Sequence, residues 1–275
     1  VDPRDMPDAD VLFGYSDQVE EHPTWGLPVV WVQGYGMYPS HQEDASFRFP
    51  CPKVCVARWL TDIGRGLGVP ADQLVHIPNA IHHDGYRLER TIDDRPPTIL
   101  FCHNDHPQKG AALALEALAE IHDRHPEVPI LAFGSKPPPK PLPAWIELHV
   151  DPDPAVLVGE LYNRATVFLW TSRVEGFGLP ALEAMACGAA LVTTDNGGSQ
   201  DYAFHDETAL VSPPAAAGPL VEHTLRLLDD DPTRVRLATA GLAHARTFTW
   251  ERAGAQLETF LERYLAEPTA YGRPA

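Results

Sequence analysis

Cations are scarce in this 275-residue chain: 21 lysines and arginines stand against 38 aspartates and glutamates, a formal charge of −17. That shortage argues against nucleic acid as a partner, because binders of phosphate backbones neutralise them with a basic surface. It gives no help towards acidic membranes either, and leaves room only for local basic pockets. Long apolar runs are missing too. None approaches the roughly twenty residues that span a bilayer, and no charged-then-apolar leader is present. Cysteine is sparse: Cys51, Cys55, Cys102 and Cys187 are scattered, and no second ligand pair at zinc spacing follows the first two. The expectation is four free thiols, no metal and no cofactor, in a reducing cytoplasm, with action at the inner membrane face as an alternative. No repeat period and no Ser/His/Asp constellation appears.

What is present is a globular composition, 44% apolar and 21% charged. The length fits one large domain or two ordinary ones. Short apolar strands alternate with helical patterns: "DVLFGY", "PVVWVQ", "KVCVAR" and "LVHIPN" come first, with Leu60, Ile63 and Leu67 at helical spacing before the last. A polar stretch, "LERTIDDRPP" (Leu88–Pro97), reads as a linker. Beyond it come "TILFCHN", a helix over about 110–125, "VPILAFGS", "WIELHVD", a helix over about 155–163, "ATVFLWTS", "AALVTT", "TALVSP" and a helical C-terminal region. Alternation of this kind implies α/β architecture, with parallel sheets covered on both faces and ligand sites at the carboxyl ends of strands. Two such blocks imply two doubly wound domains. "SKPPPKPLP" reads as a stiff surface loop. In the final segment Trp250, Ala253, Leu257, Phe260 and Tyr264 share one helical face, the mark of a packing helix.

One stretch offers chemistry: "TSRVEGFGLPALEAMACGAALVTTDNGG" (Thr171–Gly198). Pro180 suits a first helical turn and Gly188 the left-handed position past the last, so a short helix over about 179–187 follows a Gly-rich turn. Its N-terminus is an anion site, with Gly176 and Gly178 leaving the backbone open to a ligand. Glu175 enters from the turn and Glu183 from one helical turn deeper. Carboxylates beside an anion site suit a ligand that also carries hydroxyls, as a nucleotide sugar does. By spacing alone, a solvated Glu183 and a Glu175 that merely faces the helix dipole are equally open.

"EGFGLPALEAMACG" resembles the E-x7-E signature of retaining GT-B glycosyltransferases, the large family of group 1 transferases. "VHIPNAI", "HPQKG", "LYNRATVFLWTS" and "FTWER" resemble further family landmarks, in family order. The resemblance implies two Rossmann-like domains facing a cleft, with the final helix crossing back to the first. Their expected limits are 1–90 for an acceptor-side domain, 91–247 for a donor domain and 248–275 for the crossing helix. It implies Glu175 on the transferred sugar, Glu183 on the ribose and Lys109 on the diphosphate. Backbone N–H groups at Phe177, Gly178 and Leu179 are expected on the sugar or distal phosphate, with Gly176 and Gly134 also in the donor site. Partners are then a nucleotide sugar and a sugar, glycan or lipid-linked acceptor, and no metal.

The sequence departs from the family pattern in places. Cys102 and His103 stand where the family usually has Gly-Arg, so His103 is either a pH-dependent substitute for the phosphate-binding arginine or a buried polar residue. "VVWVQGYGMYP" resembles a rhamnan-synthesis-type branch and puts Gln33, Tyr35 and Tyr38 on the acceptor side; packing is the other reading for the tyrosines. "HH" (His82–His83) falls where the cleft is expected to open, and "DDD" (Asp229–Asp231) reads as a solvated helix cap. Only four strands precede the linker, so the N-terminal domain is expected to be incomplete, either trimmed or completed by a partner chain that pairs the open edge. A non-catalytic nucleotide-sugar-binding subunit is therefore the alternative to an active transferase.

Overall fold

The polypeptide folds as two parallel-sheet units in the computed structural model, which describes residues 9–21, 25–37 and 40–271. The first unit comprises Val1–Asn79 with Glu251–Ala275, and the second Ala80–Trp250.

In the first unit, β1 (Val11–Gly14), β2 (Leu27–Val32), β3 (Lys53–Cys55) and β4 (Leu74–His76) lie in that order, every neighbouring pair parallel. Parallel strands need crossovers. These are α1 (Ser16–Glu21), α2 (Ser40–Arg48) and α3 (Arg58–Gly66). Leu60 is buried as the helical spacing requires, and Gly68 turns the chain at φ +82°. One sheet face packs Val29, Val54 and Ile77 against Phe260 and Tyr264 of α8 (Trp250–Ala266), with Ala253 and Leu257 alongside. The Tyr264 hydroxyl donates to the Pro28 carbonyl at 3.1 Å. Trp250 departs from the expected apolar face: it is half exposed and belongs to the second unit, where it lies against His82 with ring centroids 5.6 Å apart. Lys53 is buried, and its ammonium donates to the carbonyls of Phe49, just past α2, and Cys51 (2.6 Å).

The second unit is a six-stranded parallel sheet built from β5 (Ile99–Cys102), β6 (Ile130–Gly134), β7 (Ile146–Val150), β8 (Val167–Trp170), β9 (Ala190–Thr194) and β10 (Ala209–Ser212). Its spatial order is β10-β9-β8-β5-β6-β7. Every residue of β6, β8 and β9 is buried, as their unbroken apolar runs require. Covering helices are α4 (Ala111–Arg124), α5 (Leu179–Ala186), α6 (Ala217–Asp229) and α7 (Asp231–Ala245). The chain leaves β5 towards β6 on one side and returns to β8 on the other. The strand order therefore reverses between β5 and β8, where open α/β sheets bind ligands.

Some expectations change in detail. The helix expected near 155–163 is a π-helix, Val156–Tyr162, with the Asn163 N–H reaching back to Val158 at 2.9 Å. The stretch 88–97 is no free linker. Arg95 is 5% exposed and donates to the carbonyls of Arg90 (2.8 Å), Ala165 (3.0 Å) and Cys187 (2.6 Å). Asn163 bonds the Arg87 carbonyl (2.9 Å) and the Glu89 N–H (2.7 Å), while the Ile81 N–H donates to Phe248 O (3.2 Å). The chain from 80 onward thus packs with the second unit, and the division falls at 79/80 rather than 90/91. His83 bonds the Phe248 carbonyl at 3.2 Å. Asp230 caps α7 through the Thr233 N–H (3.1 Å), in keeping with the cap reading of the acidic triplet. All four cysteines are free.

Candidate donor site

Three loops meet where β5 and β8 separate. After β5, a single 3-10 turn, Pro107–Lys109, runs into Gly110 at φ +70°. A Cβ on Gly110 would come within 2.0 Å of the Thr171 carbonyl oxygen, so only glycine allows this approach. Thr171 Oγ1 donates to the Gly110 carbonyl (2.9 Å), and the Arg173 N–H donates to Gln108 O (2.7 Å). The loop after β9 joins through the Glu175 N–H, which donates to Asn196 O at 2.9 Å.

These ties bring Lys109 and Glu175 together. Lys109 Nζ lies 2.8 Å from both Glu175 carboxylate oxygens, with 23% of the lysine side chain and 6% of the glutamate side chain exposed. Gly176 follows, and then the N-terminus of α5. Gly178 caps that helix at φ +89°, and Pro180 lies in its first turn. The buried hydroxyl of Tyr202 is shared between the carbonyls of Phe177 (3.0 Å) and Gly178 (2.9 Å) and fixes the turn. The Phe177 ring is buried against Tyr202 and Phe248, so this residue can offer a ligand only its backbone. Leu179, half-buried, begins the helix with its N–H at the positive end of the dipole.

Glu183 lies one turn further in. It accepts a hydrogen bond from the Tyr162 hydroxyl at 2.9 Å, and the Tyr86 phenol is near enough to influence it. Burial pushes its carboxyl above the usual range, and the two phenols pull it partway back. Cys102 feels the same surroundings: burial first, then the charge of Glu175, pushes its thiol up to about 12, against the pull of Lys109. The eight-residue spacing therefore does gather both carboxylates, the lysine and a helix N-terminus into one neighbourhood.

Other expected residues have plainer settings. His103 is buried at the end of β5; its N–H donates to Phe133 O (2.7 Å), and Nε2 lies 3.7 Å from Asp105. A Cβ on Gly134 would meet the His103 carbonyl at 2.6 Å, which gives that glycine a packing reason of its own. In the first unit, Gln33 is exposed just past β2, and the Tyr35 hydroxyl donates to Asp44 (2.7 Å), which raises its phenol above the ordinary value. Tyr38 lies outside the described residues. Sequence reasoning missed Tyr86, Tyr162, Tyr202 and Asn163. The landmark "LYNRATVFLWTS" holds Tyr162 and Asn163 without giving them a role, and "GYR" and "QDYAF" carry no periodic or motif signal for Tyr86 and Tyr202, because their partners are remote along the chain. Among the described residues no helix is long and apolar enough to cross a membrane, and no group of three or more candidate metal ligands gathers.

Comparison with known proteins follows this geometry. The family model for glycosyl transferases group 1 matches residues 85–244, the span that holds Lys109, Glu175, Glu183 and the turn before α5. The D-inositol 3-phosphate glycosyltransferase of Corynebacterium glutamicum is 29% identical over 204 residues, 68% of this chain and 48% of that protein. The phosphatidyl-myo-inositol mannosyltransferase of Mycobacterium tuberculosis is 27% identical over 66% of this chain and 52% of its own length. The chain thus spans about half the length of the curated relatives it matches. Among solved structures, the sucrose-phosphate synthase of Thermosynechococcus elongatus superposes with a TM-score of 0.79 at 20% identity, over 94% of this chain and 74% of that one. Anabaena HepE in complex with UDP-glucose gives 0.75 at 14% identity, over 94% and 79%. The α/β fold expected from the resemblance, GT-B, is the fold of these neighbours and of this chain.

Proposed function

The chain belongs to the glycosyl transferases group 1 family, and from that premise we propose that it transfers a sugar, with retention, from a nucleoside diphosphate sugar to a hydroxyl of a glycan, glycolipid or small molecule. The observation that carries the reading is the Lys109–Glu175 pair at the β5/β8 reversal, facing the N-terminus of α5 with Glu183 behind it.

In this reading the diphosphate draws the Lys109 ammonium away from Glu175, whose freed carboxylate accepts from hydroxyls of the transferred sugar. Glu183 accepts from the ribose. The acceptor oxygen bonds the anomeric carbon on the face that the diphosphate leaves, the carbon–phosphate oxygen bond breaks, and the acceptor proton passes to the departing phosphate. Lys109 and the helix N-terminus hold the charge as it develops. With these two sources of positive charge, the step is proposed to run without a metal. The names of the curated relatives make inositol-type hydroxyls the first acceptors to try.

A thermal-shift screen of UDP-, GDP- and dTDP-sugars, followed by NMR of the anomeric proton in any product, tests this. Binding that Glu183→Ala weakens without unfolding the protein, and a product with the donor's anomeric configuration, are expected. An inverted product, or nucleotide affinity untouched by Glu183→Ala, would overturn it. A second reading, a donor-binding chain that needs a partner chain for transfer, is favoured by β1, which has a neighbouring strand on one side alone among the described residues. Its sign would be tight donor binding without turnover until a partner is added.

A further inference from the structure

We infer that Tyr162, with the Tyr86 ring packed beside it, is a positioning residue for Glu183: the Tyr162 hydroxyl fixes its carboxylate as a hydroxyl acceptor and so sets the preference for a ribose bearing both of its hydroxyls. The inference rests on the donor-site reading above and goes further, to two residues that the family signature does not include.

Geometry comes first. Tyr162 is fully buried, wedged edge-on against Phe133 (5.5 Å) and Phe168 (5.8 Å), and its hydroxyl meets Glu183 Oε2 at 2.9 Å. Tyr86, half-buried, lies edge-on to Tyr162 at 6.2 Å and backs that ring, near enough to Glu183 for the carboxylate charge to help raise its phenol. One side chain sets both rings. Asn163, next to Tyr162, bonds the carbonyl of Arg87, next to Tyr86, and the Glu89 N–H. The π-helix ends at that asparagine, where an i→i+5 bond turns Tyr162 to its place. A carboxylate offers about four acceptor positions. The Tyr162 hydroxyl takes one, which leaves room for the two donors of a vicinal diol.

The groups around Glu183 also isolate its titration. Burial raises Tyr86 to about 12, and Cys102 and Cys187 likewise to about 12; Tyr162 and Tyr202 lie well above the usual phenol value. Glu175 carries its own counter-ion in Lys109. The Tyr162 donor favours the charged form, so losing it must raise the titration midpoint and weaken hydroxyl binding at the lower pH first.

The test has two arms on the full chain. In the first, carbon-13 NMR follows the Glu183 carboxyl without ligand in wild type and Tyr162→Phe. The variant should titrate at higher pH than wild type. In the second, calorimetry compares UDP and GDP with their 2′-deoxy counterparts at pH 6 and pH 8. Tyr162→Phe should lose roughly tenfold of the ribose preference, as expected for one charge-assisted hydrogen bond, and lose more at pH 6. Glu183→Gln should lack the preference at both pH values. Should Tyr162→Phe fail to fold, fluorotyrosine at Tyr162 replaces it, a stronger donor that should lower the midpoint instead. Equal midpoints in wild type and the Tyr162 variant would overturn the positioning role. A raised midpoint with an unchanged ribose preference would overturn the ribose part alone. If no nucleotide binds wild type, the donor reading and the ribose part fall together, while the NMR arm still decides whether Tyr162 positions Glu183.

Discussion

Replacing Lys109 by methionine should cost the fold more than replacing its partner Glu175 by glutamine. The two are not symmetric. Glu175 is nearly enclosed, with 6% of its side chain exposed, whereas Lys109 keeps 23% and a flexible stem that can reach water. Lys109→Met leaves a buried carboxylate without its counter-ion. Breaking a fully buried pair in this way costs roughly 3–5 kcal/mol, and partial exposure of the lysine reduces that to about 2–3 kcal/mol here. Glu175→Gln keeps an acceptor and returns the ammonium to solvent, for about 1 kcal/mol. Urea unfolding of wild type, both single variants and the double variant measures these costs and their coupling. The double variant should recover most of the Lys109→Met loss, since it no longer buries an unpaired charge. Mild acid should recover part of it too, by neutralising the orphaned carboxylate. Nucleoside diphosphate affinity should fall ten- to a hundredfold in Lys109→Met, the value of a lost charge-assisted bond of about 1.5–3 kcal/mol. Equal costs for the two single variants, or a double variant no better than Lys109→Met, would show that the pair is solvated and the reasoning wrong.

Three further outcomes follow from other parts of the fold. Gly178→Ala forces a side chain at φ +89° to within 2.7 Å of the Tyr202 hydroxyl, so thermal unfolding should show a loss of at least about 1–3 kcal/mol; an unchanged Tm would refute the close approach. Arg95→Met strips donors from the carbonyls of Arg90, Ala165 and Cys187, and limited proteolysis should then cut within 88–97, a stretch expected to resist cleavage in wild type. Burial holds Lys53 below its usual 10.5, so the unfolded chain binds more protons there, and wild-type stability should gain as pH rises towards 10.5; Lys53→Met should lose that gain, as urea titrations on either side of the window can check.

Strands such as Val167–Trp170 were legible because parallel strands covered on both faces need unbroken apolar runs, and α5 was legible because Pro180 and Gly188 mark its ends. Lys109, Glu175 and Glu183 were legible as a set because the signature and the turn before α4 are local patterns. Tyr86, Tyr162 and Asn163 were not, since a contact between remote segments imposes no period on either. The π-helix was read as an ordinary helix because an i→i+5 shift leaves composition unchanged. The boundary at 79/80 was hidden for a related reason: "LERTIDDRPP" has linker composition, yet Arg95 and Asn163 tie it down through backbone carbonyls, which any sequence would present.

The near-contact of Gly110 with Thr171 bears on how this scaffold can diversify. With the Thr171 hydroxyl and the Arg173 N–H also engaged, the loops after β5 and β8 are spliced at three points. Insertion of a single residue into either would part all three and carry Lys109 away from Glu175. A change of length there should therefore disturb the site, and a new ligand preference is more readily written into other loops. The exposed, proline-rich 135–143 loop after β6, which bears none of these ties, is where such variation has room to accumulate.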